Sequence, residues 1–358
     1  MKVVVGMSGG VDSSVAAALL LEQGYDVIGV TMKTYDFDHA GGNIGNETSC
    51  CGLDAFNDAR MVAVRLGIPH YVADFTAPFG REVIGNFVDE YLRGRTPNPC
   101  IICNRVIKWG ELLRKAVALG AEAIATGHYA RVAFDRGAGR HAIFRPADRI
   151  KDQTYALWGI GQEALAKTLF PLGGLTKPAV REIAARYGLK TARKEESFEI
   201  CFVADNDYRR FLREKGQPTA SGDIILQGKP VGRHDGYPYY TIGQRSGIGA
   251  HRERMYVTAI DPVVNTVTIG RNGDLLHRKL LARDVRLVSV SELPPGGRVQ
   301  AMVRYRDTPE PAVAVLDSDG TLLVEFDEPK RAITPGQSVV MYDGEKLVGG
   351  GIIDRVLG

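Results

Sequence analysis

The first part of the chain, up to about residue 130, alternates short apolar, β-branched runs with longer segments of helical periodicity. The strand-like runs are KVVVGM, DVIGVTM, HYVADF and EAIATGHY. The helical segments between them include VAAALLLEQG and LDAFNDARMVAVRLG. Strands that alternate with helices are typical of a doubly wound α/β domain with a parallel sheet. Because ligands of such domains lie at the carboxyl ends of the strands, we expect the functional site there.

The pattern changes after about residue 205. Lys177-Pro178 predicts one more helix of the α/β part, and YRRFLREKG predicts a short helix after the change. Beyond it, segments such as VTAIDPVVNTVTIG indicate β-hairpins with polar turns, which are typical of a barrel or a sandwich. We therefore predict three domains: an α/β domain at 1–205, a small central β-rich domain at 206–275 and a β-barrel-like domain at 276–358.

Composition narrows the class of protein without identifying it. Hydrophobic residues make up 44% of the chain and charged residues 24%, as in an ordinary globular protein. The net charge of +3 permits an anionic partner without requiring one. The chain opens with MKVVVGMSGG rather than a signal peptide and has no long apolar run, so a cytoplasmic protein without a membrane partner is expected.

A glycine-rich turn, SGGVDSS at residues 8–14, separates the first predicted strand from the first predicted helix. In that position glycines let the backbone wrap a phosphate, and the helix N–H groups point toward it. A glycine turn alone is more often structural, but the complete string favours phosphate binding. It lacks the Gly-Lys-Ser/Thr ending of a Walker A loop and the GxGxxG spacing of dinucleotide sites, which argues against both of those functions.

The string resembles the loop of the PP-loop ATP pyrophosphatases, which cleave ATP between the α and β phosphates and attach AMP to a substrate oxygen. The resemblance implies that the protein uses ATP and Mg²⁺. Met32 and Gly127 match strand-end contacts of that superfamily, although Met32 alone would be taken for a core methionine. The residues implied in ATP binding are Gly6, Met7, Ser8, Gly9, Gly10, Val11, Asp12, Ser13, Ser14, Met32 and Gly127.

Five cysteines form an odd count that argues for catalytic or metal-binding thiols rather than a secreted disulfide framework. Cys100 and Cys103 are one helical turn apart, before a helix predicted to begin near Asn104. A helix N-terminus lowers the pKa of a thiol, so a thiolate is expected there as nucleophile or ligand. Cys201 is about a hundred residues away and in isolation would be a buried core cysteine. Cys50 and Cys51 follow a glycine-rich loop at 41–45.

Motifs along nearly the whole chain resemble those of the bacterial tRNA-specific 2-thiouridylases, the MnmA family. In the family's order they are TPNPxxxCNRxIKW, ATGHYAR, KDQTYALWG, ESFEICFV, YTIGQRSGIG and TPGQSVVMYDGEKLVGGGII. The resemblance implies ATP-dependent 2-thiolation of the wobble uridine in the tRNA anticodon. Cys201 would carry a persulfide received from a sulfur-donor or relay protein, and Cys103 would attack or release that sulfur. The two cysteines would end as a disulfide that needs reduction.

One position departs from the family pattern, because Cys100 stands where the best-known members have an aspartate. The acid/base role of that aspartate therefore does not carry over. Cys100, Cys103 and Cys201 could instead bind a [4Fe–4S] cluster with one iron open to exogenous sulfide, an alternative as well supported by the sequence as the persulfide route. A structural zinc site that combines Cys50 and Cys51 with Cys100 and Cys103 is less favoured, because adjacent cysteines rarely chelate one zinc ion well.

The RNA contacts depend mainly on the resemblance. His128 could be a satisfied core histidine, but its place after a strand end favours a contact with RNA or nucleotide. The target base must leave its stack to reach the phosphate loop, so we expect the C-terminal domain to hold the RNA. The residues implied in tRNA binding are Asn98, Pro99, Cys100, His128, Lys151, Asp152, Gln153, Tyr305, Arg306 and Gln337.

Two other functions remain open from the sequence. A PP-loop amide-forming synthetase would activate a carbonyl or carboxyl group for attack by nitrogen, and it would need neither the cysteine pair nor the C-terminal β domain. An RNA-binding protein with a degenerate ATP site is a different class, and the intact SGGVDSS string counts against it.

Overall fold

The computed structural model of the chain describes residues 1–35, 53–194, 200–203, 205–215 and 220–357. The predicted glycine-rich loop at 41–45, Cys50 and Cys51 lie outside the described residues. Residues 195–199, which precede Cys201 in its motif, lie outside them as well.

A five-stranded parallel sheet organises the first part of the chain, as the sequence predicts. From one edge to the other its strands are His70–Asp74, Asp26–Lys33, Lys2–Gly6, Ala123–Ala125 and Thr168–Leu169. The strand order reverses between Lys2–Gly6 and Ala123–Ala125, and the crevice at such a switch point is where doubly wound folds bind ligands. The SGGVDSS loop leaves the first of these two strands, and Gly127 follows the second.

Helices cover both faces of this sheet. Along the first strand Val4 belongs to one hydrophobic cluster, whereas Val3 and Val5 belong to a second. This division follows from the alternation of side chains along a strand. The α-helices of the α/β part are Val11–Glu22, Leu53–Leu66, Thr76–Pro78, Gly85–Leu92, Pro99–Ile102, Leu113–Ala118, Gln162–Leu165 and Lys177–Arg186. Phe79–Ile84 and Cys103–Leu112 are π-helical, and Thr154–Ala156 and Lys190–Arg193 are 3₁₀ turns.

The predicted helix YRRFLREKG is present as Tyr208–Lys215, and a four-stranded sheet follows it. The strands of that sheet, in spatial order, are Tyr256–Asp261, Thr266–Gly270, Gly222–Leu226 and Lys229–His234. The hairpin predicted from VTAIDPVVNTVTIG is the first pair in this order. Short 3₁₀ turns occur at Tyr237–Tyr239, Asn272–Leu275 and Pro295–Gly297.

The last part of the chain forms a closed six-stranded antiparallel barrel. Closure occurs because the long strand Leu276–Leu287 pairs with Leu322–Arg331 on one side and with Lys346–Leu357 on the other. The other strands are Arg298–Met302, Glu310–Leu316 and Ser338–Asp343. A closed barrel has no free edge, and its interior is filled by alternate side chains such as Leu280 and Val324. The fold class predicted from the sequence is confirmed.

One hairpin was not predicted. Arg131–Asp135 and Arg140–Phe144 lie in sequence within the α/β part, yet they extend the barrel sheet through the pairing of Lys346 with Phe144. The Nζ of Lys346 also lies 2.7 Å from Asp135 Oδ2. The hairpin therefore joins the α/β domain to the barrel.

Across the described ranges, no helix combines the length and the apolar character needed to cross a bilayer.

Candidate active site

The SGGVDSS loop is built so that its backbone can face an anion. Gly9 has a φ of +69°, and a Cβ at this position would lie 2.2 Å from the carbonyl oxygen of Ala55. Only glycine fits both that left-handed conformation and that close approach. Gly10 is the N-cap of the helix Val11–Glu22 and has no side chain to bond the first helical N–H groups. Those groups are therefore directed at the crevice, as in phosphate-binding loops.

Hydrogen bonds from three serines hold the loop in place. Ser14 Oγ donates to the carbonyl oxygen of Gly10 at 2.8 Å, and Ser13 Oγ donates to the same oxygen at 3.3 Å. The amide of Ser8 donates to Ser13 Oγ at 3.2 Å. These bonds fix the turn without occupying the amides at the start of the helix.

Asp12 is held by two residues that the sequence analysis did not assign to the site. Lys177 Nζ donates to both carboxylate oxygens of Asp12, at 2.7 and 2.8 Å. The hydroxyl of Tyr129 donates to Asp12 Oδ1 at 2.8 Å. Lys177 was identified in the sequence only as part of a helix start, and its contact with Asp12 spans 165 residues. The ATGHYAR motif, which contains Tyr129, was the one sequence signal that pointed to this cluster.

Gly127 packs directly against the start of the loop helix. A Cβ at Gly127 would lie 2.6 Å from the amide nitrogen of Ser13 and 2.7 Å from the carbonyl carbon of Asp12. Any side chain here would displace the loop. Met32 lies near the end of the adjacent strand Asp26–Lys33 and is half-buried. Both residues thus lie at the sheet edge where the sequence predicts nucleotide contacts, and the contacts themselves remain a prediction.

His128 is held in a defined, neutral form. Its Nδ1 lies 2.7 Å from Thr126 Oγ1, and its Nε2 lies 3.4 Å from Lys108 Nζ. Burial of the ring, together with the Lys108 ammonium, holds the pKa of His128 well below its ordinary value. Because an ammonium group can only donate, Nε2 is the acceptor and Nδ1 carries the proton. The imidazole thus already binds two protein groups, one through each nitrogen.

The predicted start of the cysteine helix was wrong. The helix begins at Pro99, not near Asn104, so Cys100 and Cys103 lie inside it. Asn98 is its N-cap and accepts a bond from the amide of Cys100 at 3.1 Å, while Pro99 occupies the first turn. An Asn N-cap followed by proline is a standard helix start. The positive end of the helix therefore lies at Cys100, whose side chain is exposed.

Cys103 and Cys201 pack against the same hydrophobic cluster, and both are half-buried. Phe202, the neighbour of Cys201, anchors that segment through edge contacts with Phe79 at 5.8 Å and Phe87 at 5.2 Å between ring centroids. Ile101 anchors the other cysteine segment in the same cluster. The fold thus brings two segments that are distant in sequence onto one core.

The placement of the possible metal ligands decides whether the thiols can bind a cluster. Within the residues that the structure describes, no group of three or more His, Cys, Asp or Glu side chains is placed to hold a metal ion. Cys100, Cys103 and Cys201 are all among those residues, so as placed here they do not fit a three-thiolate cluster site. The zinc combination involves Cys50 and Cys51, which lie outside the described residues.

Gln337 holds the segment before the cysteine helix. Its Nε2 donates to the carbonyl oxygens of Thr96 and Pro97, at 3.0 and 3.3 Å. Gly336 precedes it with a φ of +91°, and a Cβ there would lie 2.8 Å from the backbone of Thr96. The geometry gives Gln337 a positioning role for this segment. The RNA contact predicted for Gln337 remains a prediction.

Among the other residues predicted to contact RNA, Lys151, Asp152 and Gln153 form one turn. Asp152 accepts bonds from Arg145 Nε at 2.5 Å and from Thr154 Oγ1 at 2.6 Å, and Gln153 Oε1 accepts from the amide of Tyr129 at 2.8 Å. Lys151 is half-buried beside them. These bonds fix the turn beside Tyr129, the residue that bonds Asp12 of the phosphate loop.

Tyr305 and Arg306 lie on a barrel loop that faces the same region. The Tyr305 ring is 40% exposed and lies 6.2 Å from the ring of Tyr155, and the guanidinium of Arg306 lies 5.7 Å from the Tyr305 centroid. Arg306 has a φ of +63°, which is strained for a residue other than glycine. The pair offers an exposed ring and a cation side by side.

We expect Gln337→Glu to disturb the cysteine segment, because a carboxylate would face two carbonyl oxygens in place of an amide donor. The free energy of unfolding should fall by about 1–3 kcal/mol. In turnover, kcat should fall more than the KM for RNA rises. Urea unfolding and steady-state kinetics measure both, with Gln300→Glu on the exposed barrel surface as the matched control. A variant of unchanged stability that raises only the KM for RNA would instead indicate a direct RNA contact.

We expect Lys177→Met to weaken ATP binding by about tenfold, roughly 1.4 kcal/mol, because the Asp12 carboxylate would then stand uncompensated beside the phosphates. Adding Asp12→Asn to the same variant should restore part of the affinity. Isothermal titration with ATP measures this, with exposed Lys190→Met as the control for loss of one charge. ATP affinity equal to wild type in Lys177→Met would contradict the assigned role.

Known family models match most of the chain. The family described as "tRNA methyl transferase HUP domain" matches residues 1–205. The "tRNA methyl transferase PRC-barrel domain" matches residues 209–271, and the "Aminomethyltransferase beta-barrel domain" matches residues 277–353. A crystal structure of a 4-thiouridine synthetase–RNA complex with bound ATP is a distant match, 20% identical with a TM-score of 0.38 over 60% of this chain and 50% of that chain. A likeness at that level carries no functional argument.

The curated relatives are much closer. The tRNA-specific 2-thiouridylase MnmA of Salinibacter ruber is 50% identical over 100% of this chain and 95% of its own length. The protein of the same name from Carboxydothermus hydrogenoformans is 52% identical over 99% of this chain and 98% of its own length. Because about half of the residues are shared from one end to the other, the chain belongs to the MnmA family of tRNA-specific 2-thiouridylases.

Proposed function

We propose that the protein is a tRNA-uridine 2-sulfurtransferase, which uses ATP to replace the C2 oxygen of the wobble uridine with sulfur. Full-length relatives at about half identity carry the name of this activity. The observation that carries the proposal is the contact made by residues 127 and 128. Gly127 packs on the phosphate loop and His128 contacts Lys108 of the cysteine helix, so an adenylation loop and a thiol-bearing helix meet at one sheet edge.

In the first step, the uridine C2 oxygen attacks the α-phosphorus of ATP. The bond between the α and β phosphates breaks, and pyrophosphate leaves with the electron pair. The amides at the start of Val11–Glu22 hold the departing phosphates, since helix N-termini and glycine loops are suited to anions. The product carries AMP on the base, which turns a poor leaving group into a good one.

In the second step, the terminal sulfur of a persulfide on Cys201 attacks C2 of the adenylated base. A C–S bond forms, and the C–O bond breaks as AMP leaves with the oxygen. The Cys103 thiolate then attacks the Cys201 sulfur, which breaks the S–S bond and releases the thiocarbonyl. A Cys103–Cys201 disulfide results, and a cellular thiol must reduce it before another turnover. Both cysteines pack against the same extended hydrophobic cluster.

The residues present are compatible with Mg²⁺ bound through ATP but do not fit an iron–sulfur cluster. Mg²⁺ would be carried by the phosphate oxygens of ATP, because Asp12, the carboxylate of the loop, is bound by Lys177 and Tyr129. The three thiols do not fit a cluster as placed, so no step is assigned to one. Cys100 stands where the best-known family members have an aspartate, so the acid/base role of that aspartate does not carry over to this chain.

RNA would lie across the turn at 151–153, the Tyr305–Arg306 loop and the segment at 98–100. An exposed ring beside a cation suits stacking on a base and contact with its phosphate. A donor protein would bring sulfur to Cys201. In the proposed division into domains at 1–205, 206–275 and 276–358, the first domain would carry out the adenylation, and the first and last domains together would contact RNA.

We expect wild-type protein with ATP, a persulfide donor and unmodified tRNA to form 2-thiouridine, measured by nucleoside analysis. Cys103→Ser and Cys201→Ser should each lose thiolation by at least about 100-fold, since a hydroxyl can neither carry nor exchange sulfur. Pyrophosphate release in a single turnover should persist in both and serves as the control for adenylation. Absence of 2-thiouridine in wild type with loaded sulfur refutes the function, and full thiolation by either variant refutes the cysteine roles.

The variant Cys100→Asp separates the two sulfur routes. On the persulfide route, protein purified without oxygen should be active without iron, and Cys100→Asp should keep more than about a third of the thiolation rate because Cys100 takes no part in exchange. Iron content is measured by metal analysis beside activity, with Cys103→Ser as the comparison. Loss of both iron and activity in Cys100→Asp would establish the cluster route instead.

A further inference from the structure

Lys108 is a half-buried cation that the protein orients without neutralising. Its Nζ donates to His128 Nε2 at 3.4 Å. In the described part of the chain no carboxylate lies within ion-pair distance of this ammonium group. The contrast with Lys177 is direct, because the charge of Lys177 is cancelled by both oxygens of Asp12.

The imidazole of His128, which accepts the hydrogen bond from Lys108, is uncharged. His128 packs against Trp109 and Phe170, with ring centroids 5.6 and 6.2 Å away, and its Nδ1 proton is directed at Thr126. A carboxylate in this place would bind the ammonium group equally well, but its negative charge would neutralise the positive charge of Lys108. A neutral imidazole holds it and leaves one full positive charge.

That ammonium group belongs to the cysteine helix, and it bonds the histidine that follows the glycine packed on the phosphate loop. Lys108 is five residues after Cys103 in the π-helix Cys103–Leu112, and a π-helix bonds residues five apart, so Lys108 follows Cys103 by one turn. An α-helix would place it on a different face. His128, its partner, directly follows Gly127, which packs on the Asp12–Ser13 backbone.

We propose that Lys108 is a catalytic residue that binds the α-phosphoryl group of the nucleotide and stabilises its charge while AMP leaves the base. The role in AMP departure rests on the proposed function, whereas phosphate binding does not. A half-buried cation without a counter-ion is costly, and an arriving phosphate oxygen offsets that cost. Because Lys108 is half-buried, its ammonium group stabilises developing negative charge more than it would in solution.

The first test is binding of AMP against adenosine without tRNA, measured by isothermal titration. Lys108→Met should lower the affinity for AMP about 10–100-fold, the value of a hydrogen bond to a charged group, and leave adenosine binding unchanged. Lys115→Met, an exposed lysine further along the same helical stretch, should change neither. Wild-type preference for AMP over adenosine in Lys108→Met overturns the proposal.

The second test is thiolation of tRNA in a single turnover. Lys108→Met should lose about 100-fold or more in rate, and Lys108→Arg should recover part of it because it keeps the charge. If Lys108→Met does not fold, His128→Glu replaces it, since a carboxylate there should cancel the ammonium and lower AMP affinity in the same way. Wild-type rates in Lys108→Met refute the role in AMP departure. Loss of AMP affinity in Lys108→Met, together with a wild type that makes no 2-thiouridine, would refute the proposed function and retain the phosphate site.

Discussion

The hydrogen bonds of Thr96 are the constraint on which the arrangement of the site depends. Its amide donates to Pro335 of the barrel at 2.9 Å, and its hydroxyl donates to Thr241 of the central part at 3.1 Å. Gln337 binds its carbonyl oxygen. Each bond alone contributes about 1 kcal/mol. Together they fix where the chain enters the cysteine helix, because the helix N-cap Asn98 is only two residues further on. The direction of that helix is therefore set by elements from all three parts of the chain.

Two lysines at the nucleotide edge show how the choice of partner decides what a cation does. Lys177 binds the Asp12 carboxylate, so the pair contributes geometry to the loop and little net field. Lys108 binds a neutral histidine, so its field remains available to a ligand. The low pKa of His128 is a consequence of the same arrangement, since a buried ring beside an ammonium group is poorly protonated. A carboxylate in place of His128 would neutralise Lys108 in the same way as Asp12 neutralises Lys177.

Local signals in the sequence were sufficient for the phosphate loop and the parallel sheet, because the SGGVDSS turn and the alternation of strands with helices are set by residues close in the chain. The start of the cysteine helix is also encoded locally, by Asn98 and Pro99, although the sequence analysis predicts a start near Asn104. Lys177 could not have been found this way. Its contact with Asp12 spans 165 residues and depends on how the last α/β helix packs on the first. The neutral partner of Lys108 is a long-range feature of the same kind, because it depends on the burial of His128.

Tyr129 connects the nucleotide loop to a turn predicted to meet RNA. It is 2% exposed, its hydroxyl bonds Asp12, and its backbone amide bonds the side chain of Gln153. The hairpin that follows it runs onto the barrel sheet, where Lys346 pairs with Asp135. A displacement of the turn at 151–153 would therefore move a residue that also holds Asp12. Because this residue is buried and bonded at both ends, the two loops are expected to keep one fixed separation, which an enzyme that must join ATP to a base of bound RNA requires.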